Sequence, residues 1–315
     1  MTSMRDTFHV STTQLLDADP RLAVVLADIG ASRFREAQER HPERVINVGI
    51  REQLMIGVAA GLSLTGLRPI VHSYASFLVE RPFEMLKVDL SHNEAGAVLV
   101  SIGASYDASH EGRTHQAPED VALLATLPGW EIYVPGHRRE ATGLLRHAAA
   151  GDGRAYLRLS ESANRAARPI RPGALDVVRR GRDLTIVAVG PMLDRTLDAL
   201  DGIGFDATVL YATTVLPFDT DTLLAEAGEE VVFVEPYLEG TTATIVAAAL
   251  ADRPRVVRSI GVPRGEHRRY GTPDDHERAH GLDVAGLRER LGRRAPPAGS
   301  ASRRKGHGGL TESQD

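Results

Sequence analysis

The chain has no cysteine in its 315 residues. Disulfides, thiolate metal sites and a cysteine nucleophile are thereby excluded. Charge of one sign is not in large excess either: 37 Lys and Arg stand against 42 Asp and Glu, a formal net charge of -5. Such a balance gives no general reason to expect nucleic acid as a partner. No apolar run approaches the length that spans a bilayer, and Met1 to Val10 carries Arg5 and Asp6 but no apolar signal segment. The expected compartment is the cytoplasm. What is present, 42% hydrophobic and 25% charged residues over a length sufficient for two domains, is the composition of a soluble globular protein.

Short apolar, β-branched runs recur at 22–27, 44–48, 69–73, 97–102, 131–134 and 155–159, with helix-like segments between most of them. That alternation predicts a parallel sheet covered on both faces. Two prolines and a glycine at 168–173 then mark a break. The pattern restarts with strands at 184–189, 207–211, 231–235 and 256–260 and helices near 192–200 and 241–251. The fold class predicted is α/β, two domains, each a mostly parallel sheet covered by helices. The first is placed at 1–168, a linker at 169–181, the second at 182–292 and a disordered basic tail at 293–315.

The stretch 48–62 organises the first domain. Residues 46–49 read as the end of a buried strand, and from Arg51 the apolar period is helical, with Leu54, Met55, Val58 and Leu62 on one side. Gly57, Ala60 and Gly61 leave another side almost bare, which a second backbone or a flat ligand can approach closely. Glu52 falls in the first turn, where the helix dipole favours a carboxylate whatever else it does. His110 and His115 flank a glycine in a polar loop after a buried strand, where ligands of parallel α/β proteins bind. A hydrogen-bonded surface loop would look the same. His276-Glu277-Arg278-Ala279-His280 matches the zinc pattern H-E-x-x-H. Its frame is wrong for zinc: Thr272 and Pro273 start a short helix, Gly281 stops it, and no third ligand is in view, so no metal site is assigned in this chain.

Taken in order, several strings resemble the landmarks of the transketolase family. They are Ala27-Asp28-Ile29-Gly30, Val48-Gly49-Ile50-Arg51-Glu52-Gln53, Arg68-Pro69, Ser76-Phe77-Leu78, Arg113-Thr114-His115-Gln116, Tyr156-Leu157-Arg158-Leu159 and the late Gly271-Thr272-Pro273 with Gly281-Leu282-Asp283. The match runs roughly from Arg5 to Leu291 and looks like the separate C-terminal subunit of a split transketolase, a pyrimidine-binding domain followed by a smaller C-terminal domain. The H-E-x-x-H is then an ordinary surface helix of that second domain.

The resemblance implies thiamine diphosphate as cofactor and transfer of a two-carbon ketol unit from a ketose to an aldehyde. Glu52 matches the glutamate that bonds N1′ of the aminopyrimidine, and Tyr74 and Phe77 match aromatics that pack on that ring. His115 matches a histidine near the reacting centre, a candidate for proton transfer. His110 and Glu111 fall among substrate-binding positions, and Arg5 and Ser32 among those that hold an acceptor phosphate. Glu111 replaces a usual aspartate, Gly103 stands where a substrate-binding histidine is typical, and Glu161 replaces a phosphate-binding arginine. A carboxylate facing a phosphate repels it, so an unphosphorylated or specialised acceptor is implied. Magnesium and the diphosphate are held in the family by G-D-G followed by a distant asparagine. Gly151-Asp152-Gly153 has the opening, but Asn164 is too close, and the three residues read as a turn. A partner subunit bearing that motif, in an α2β2 heterotetramer, follows from the resemblance. Two alternatives accompany it: a decarboxylating thiamine enzyme, like a 2-oxo acid dehydrogenase β subunit or a deoxyxylulose phosphate synthase, and a non-catalytic partner subunit.

Overall fold

The computed structural model describes residues 2–293; the expected tail from residue 294 lies outside the described residues. Helix α1 (Met4–Ala18) opens the chain, capped reciprocally by Ser3 and Asp6. Six parallel strands follow, β1 (Leu22–Leu26), β2 (Val45–Asn47), β3 (Arg68–Tyr74), β4 (Ala97–Ile102), β5 (Trp130–Tyr133) and β6 (Arg154–Arg158). Helices α2 (Arg35–Arg40) and α3 (Glu52–Leu64) lie between the first three of them.

Successive residues of a strand face opposite sides, and each side of this sheet has its own core. Val24, Leu26, Ile70, Val98 and Val100 share one cluster with Met4, Phe8 and Leu16 of α1. Val25, Val71 and Leu99 share the other with Met55, Ile56 and Ala59 of α3. Both faces are therefore dry, which is why these strands read as unbroken apolar runs.

The second sheet comprises β7 (Asp176–Arg179), β8 (Leu184–Val189), β9 (Ala207–Ala212), β11 (Glu230–Leu238) and β12 (Val256–Val262), in the order β12-β11-β8-β9-β7. Strand β7 sits inside the stretch expected to be linker and forms the edge of the sheet, paired antiparallel to β9. It is half-buried throughout and carries only two apolar residues, too weak a pattern to announce a strand. The remaining strand, β10 (Thr214–Leu216), leaves the second half of the chain and pairs antiparallel with β5, making the first sheet seven-stranded in the order β10-β5-β6-β4-β3-β1-β2. Backbone pairing thus stitches the two halves together. Among the described residues, no helix is long and apolar enough to cross a membrane.

Candidate functional site

Glu52 is the first residue of α3, 5% exposed, and its carboxylate takes a 2.7 Å bond from the Arg81 guanidinium. That guanidinium lies 3.7 Å over the Phe77 ring. The geometry comes from a π-helical turn, Ser76–Glu80, closed by the Arg81 N–H donating to the Ser76 carbonyl. It brings an arginine four positions after Phe77 back onto the ring. Sequence reasoning missed Arg81, although a cation one turn after an aromatic was a usable signal.

Phe77 continues into an aromatic cluster. The His115 ring is 4.8 Å from it and 5.5 Å from Tyr74, and Tyr74 and Phe77 are 5.8 Å apart, all three pairs near edge-to-face. His115 stands on a loop braced from the second half of the chain. Ser109 Oγ donates to the Gly271 carbonyl, Gln116 Nε2 donates to the Arg269 carbonyl, and Arg113 pairs with Glu119 and Glu266. Tyr270 covers Gly112, where a Cβ would meet its ring at 2.7 Å. His110 and Glu111 of the same loop are exposed and 3.5 Å apart.

Tyr74 also lines a cavity of about 90 Å³, together with Arg5, Gly103, Asp107, His110 and Glu161. The expected positions Arg5, Tyr74 and His110 thus meet the two departures Gly103 and Glu161 in one place. Ser32 does not join them: it is exposed, on the short turn Ala31–Phe34, and lies outside that lining. Asp107, which sequence reasoning overlooked, is 6% exposed and accepts the Glu161 N–H at 3.0 Å. Burial above all, with the Glu161 charge adding, pushes its carboxyl up to about 7, against the Glu161 N–H, Arg158 and Ser160, which favour the charged form. Its only sequence signal was its position in the polar run after a buried strand.

The expected rotation of helix α3 needs correction. Helix α3 buries Glu52, Met55, Ile56, Ala59 and Ala60, while Leu54 is 46% exposed. Burying a Met or Ile is worth about 1.5–3 kcal/mol each, so Met55 and Ile56 set the rotation and Leu54 turns outward. The bare side is not filled by a second backbone of this chain: a Cβ at Gly61 would meet nothing within 4 Å, and at Gly57 only Asp89. Ile50, just before the helix, and Leu64, at its end, are also exposed, at 73% and 65%. The surroundings of Glu52 include a cation, Arg81.

The H-E-x-x-H helix, Pro273–His280, is capped by Thr272 and stopped by Gly281 as expected, and it exposes Asp274, Arg278 and Ala279 while burying the opposite side. His276 is 1% exposed and stacks on Tyr106, and Glu277 is 6% exposed and ion-paired to Arg195. Its histidines fill a joint between the two halves. Among the described residues, no group of three or more His, Asp or Glu side chains is placed to hold a metal.

The corner at Glu52 fits a flat nitrogen heterocycle. A planar, hydrogen-bonding cation already rests there, bonded to Glu52 and stacked on Phe77, and an aminopyrimidine would need the same two contacts. Among the described residues, side-chain donors for a divalent metal do not assemble.

Residues 1–166 match the family model for the transketolase pyrimidine-binding domain, and residues 173–287 match that for the transketolase C-terminal domain. An uncharacterized 33.6 kDa protein in the fasciation locus of Rhodococcoides fascians is 47% identical, over 91% of this chain and 93% of its own. The 6-deoxy-6-sulfo-D-fructose transketolase subunit SqwH of Clostridium sp. (strain MSTE9) is 30% identical, over 82% of this chain and 84% of its own. A split gene transketolase solved as an inactive beta4 tetramer superposes with a TM-score of 0.80 at 27% identity, covering 92% of this chain and 96% of that one.

Proposed function

The chain belongs to the transketolase family, and we propose that it is the C-terminal-type subunit of a split transketolase, moving a two-carbon ketol unit from a ketose to an aldehyde. The observation that carries this is the Glu52 corner: a nearly buried carboxylate beside an aromatic face, with His115 against the same ring. Thiamine diphosphate, when bound, supplies the nucleophilic carbon and the electron sink that breaking a bond beside a ketone requires. Glu52 would hold the proton at the pyrimidine ring, Phe77 would give it a stacking surface, and Tyr74 would wall it from the cavity. His115, carried on a loop with little freedom, is suited to move a proton at a substrate hydroxyl. His110, Glu111 and Arg5 are placed to touch substrate; Ser32, exposed outside the cavity, would need a partner chain to bring substrate to it.

The same reading makes the site half of one. With no group of three metal-binding side chains among the described residues, Mg2+ and the diphosphate would be held by a partner subunit carrying G-D-G and its asparagine, in an α2β2 heterotetramer. Two features support that partner: Ile50 and Leu54, two apolar residues within two positions of Glu52, are exposed, and a relative of matching fold was solved as an inactive beta4 tetramer. Exposed apolar patches mark protein contacts. We take 1–168 and 182–292 as the two domains and the cytoplasm as the compartment. Glu161 in the cavity speaks against a phosphorylated acceptor, and one relative is named for a sulfonated sugar.

The test is reconstitution with the partner, thiamine diphosphate and magnesium, followed by a ketol-transfer assay. Activity that needs both chains and falls in Glu52→Ala is expected. Normal turnover by Glu52→Ala, or carbon dioxide release from pyruvate as the main reaction, would overturn the reading.

A further inference from the structure

We propose that Asp107 is a specificity-determining residue: with Glu161 it receives the uncharged, hydroxyl-bearing end of the acceptor aldehyde in the cavity below Tyr74 and turns a phosphate away. This rests on the ketol-transfer reading above and names the acceptor class for it.

The size of the cavity comes first. At about 90 Å³, it has room for several waters, enough for a terminal hydroxymethyl group and its neighbour. Charge comes next. Asp107 and Glu161 bring two carboxyl groups, held in one unit by the 3.0 Å bond from the Glu161 N–H to Asp107 Oδ2. Against them stands Arg5, which makes no ion pair among the described residues and whose Nε is buried without a hydrogen-bond partner. His110 sits at the rim with Glu111 beside it. A phosphate dianion would meet one cation, Arg5, against two carboxyls, Asp107 buried and Glu161 exposed, and like charges repel it.

Hydroxyl groups meet the opposite situation, because a carboxylate accepts their hydrogens. A carboxyl titrating near 7, as Asp107 does through burial, can donate as well as accept. One guanidinium then serves the oxygens that the two carboxyls cannot.

Gly103 is independent support. Its φ is +68° and a Cβ there would run into the Tyr74 ring. No cationic side chain can enter the cavity from position 103 while Tyr74 holds its place. The two most direct routes to a phosphate site, a cation at 103 and a cation at 161, are both closed, one by an aromatic wall and one by a carboxylate.

The experiment uses the reconstituted complex with hydroxypyruvate as donor and D-erythrose against its phosphate ester as acceptor. The expected result is a kcat/KM for free erythrose at least about tenfold above that for the ester, a difference worth ~1.4 kcal/mol. Glu161→Arg should move the ratio about tenfold or more toward the ester. Asp107→Asn should raise KM for free erythrose while kcat changes little. A wild-type preference for the ester, or a ratio indifferent to Glu161→Arg, overturns the proposal while leaving ketol transfer standing. Should no aldehyde be accepted, the ketol-transfer reading fails, and phosphorus NMR on the chain with inorganic phosphate decides the cavity chemistry by itself. Millimolar phosphate bound by Glu161→Arg and not by the wild type upholds it; phosphate bound equally by both, or by neither, overturns it.

Discussion

The Glu52 corner and the Asp107 cavity share an edge, the Tyr74–Phe77 pair, and are built on opposite plans. The corner keeps every family landmark and pairs its single carboxylate with an arginine stacked on an aromatic. The cavity departs at 103 and 161 and sets two carboxyls against one arginine. Under the proposed function, the first would serve the chemical step and the second the choice of substrate. The difference teaches that the two ends of one site can be separated by substitution.

The largest effect should come from the corner. Glu52→Ala in the reconstituted complex is expected to lose roughly 100-fold or more in kcat, as proton-handling roles do, with every acceptor affected alike. A loss confined to one acceptor would merge the two regions and break the comparison. On the cavity side, Glu161→Arg should change the ratio between acceptors by about tenfold and leave transfer itself intact.

Stability should divide along the same line. Gly103→Ala puts a side chain at positive φ against Tyr74, and overpacking of this kind costs roughly 1–3 kcal/mol, measurable by urea unfolding. Near Arg5, His9 and His72 are buried within aromatic contact of each other, with both ring nitrogens of His9 and Nε2 of His72 lacking hydrogen-bond partners. Burial, with Arg5 opposing a second positive charge, pushes His9 down to about 4 and His72 down to about 3 from the ordinary 6.5. The unfolded chain therefore binds more protons below 6.5, so this stabilisation is complete above pH 6.5 and is lost as pH falls toward the folded values. Thermal unfolding followed from pH 7 to pH 4 should show that slope, and His9→Leu should flatten it; an unchanged slope would clear these histidines.

The smallest effect expected is at Arg81. Its guanidinium occupies both contacts that an aminopyrimidine would use, so Arg81→Ala should tighten thiamine diphosphate binding by the complex. A cation–π contact at a half-exposed site is worth about 0.5–1 kcal/mol, or two- to fivefold in Kd. Weaker binding instead would make Arg81 a positioning residue for Glu52.

Much of this was legible from the chain alone, and the failures have particular causes. The buried strands announced themselves because both faces of the sheet are dry. The rotation of α3 was misread because Leu54 and Met55 are equally apolar by composition, and only the sheet beneath chooses between them. Strand β7 was taken for linker because an edge strand with half-exposed residues needs its partner to become a strand at all. The joint at Tyr106 and His276 looked like surface because polar residues hide an interior that forms when two halves meet.

By itself, the sequence determined the α/β layout, the helix start at Glu52 and the loop that carries His115, since each depends on local period, local caps or a contiguous string. Tertiary structure alone decided that Arg81 would sit on Glu52, 29 residues away, that Asp107 would bind the backbone of Glu161, 54 residues away, and that Tyr74 would fill the space above Gly103. These contacts join positions with no periodic relation. They exist because the segments at the carboxyl ends of the first sheet's strands are brought together by the sheet, and no local preference of either partner encodes the meeting.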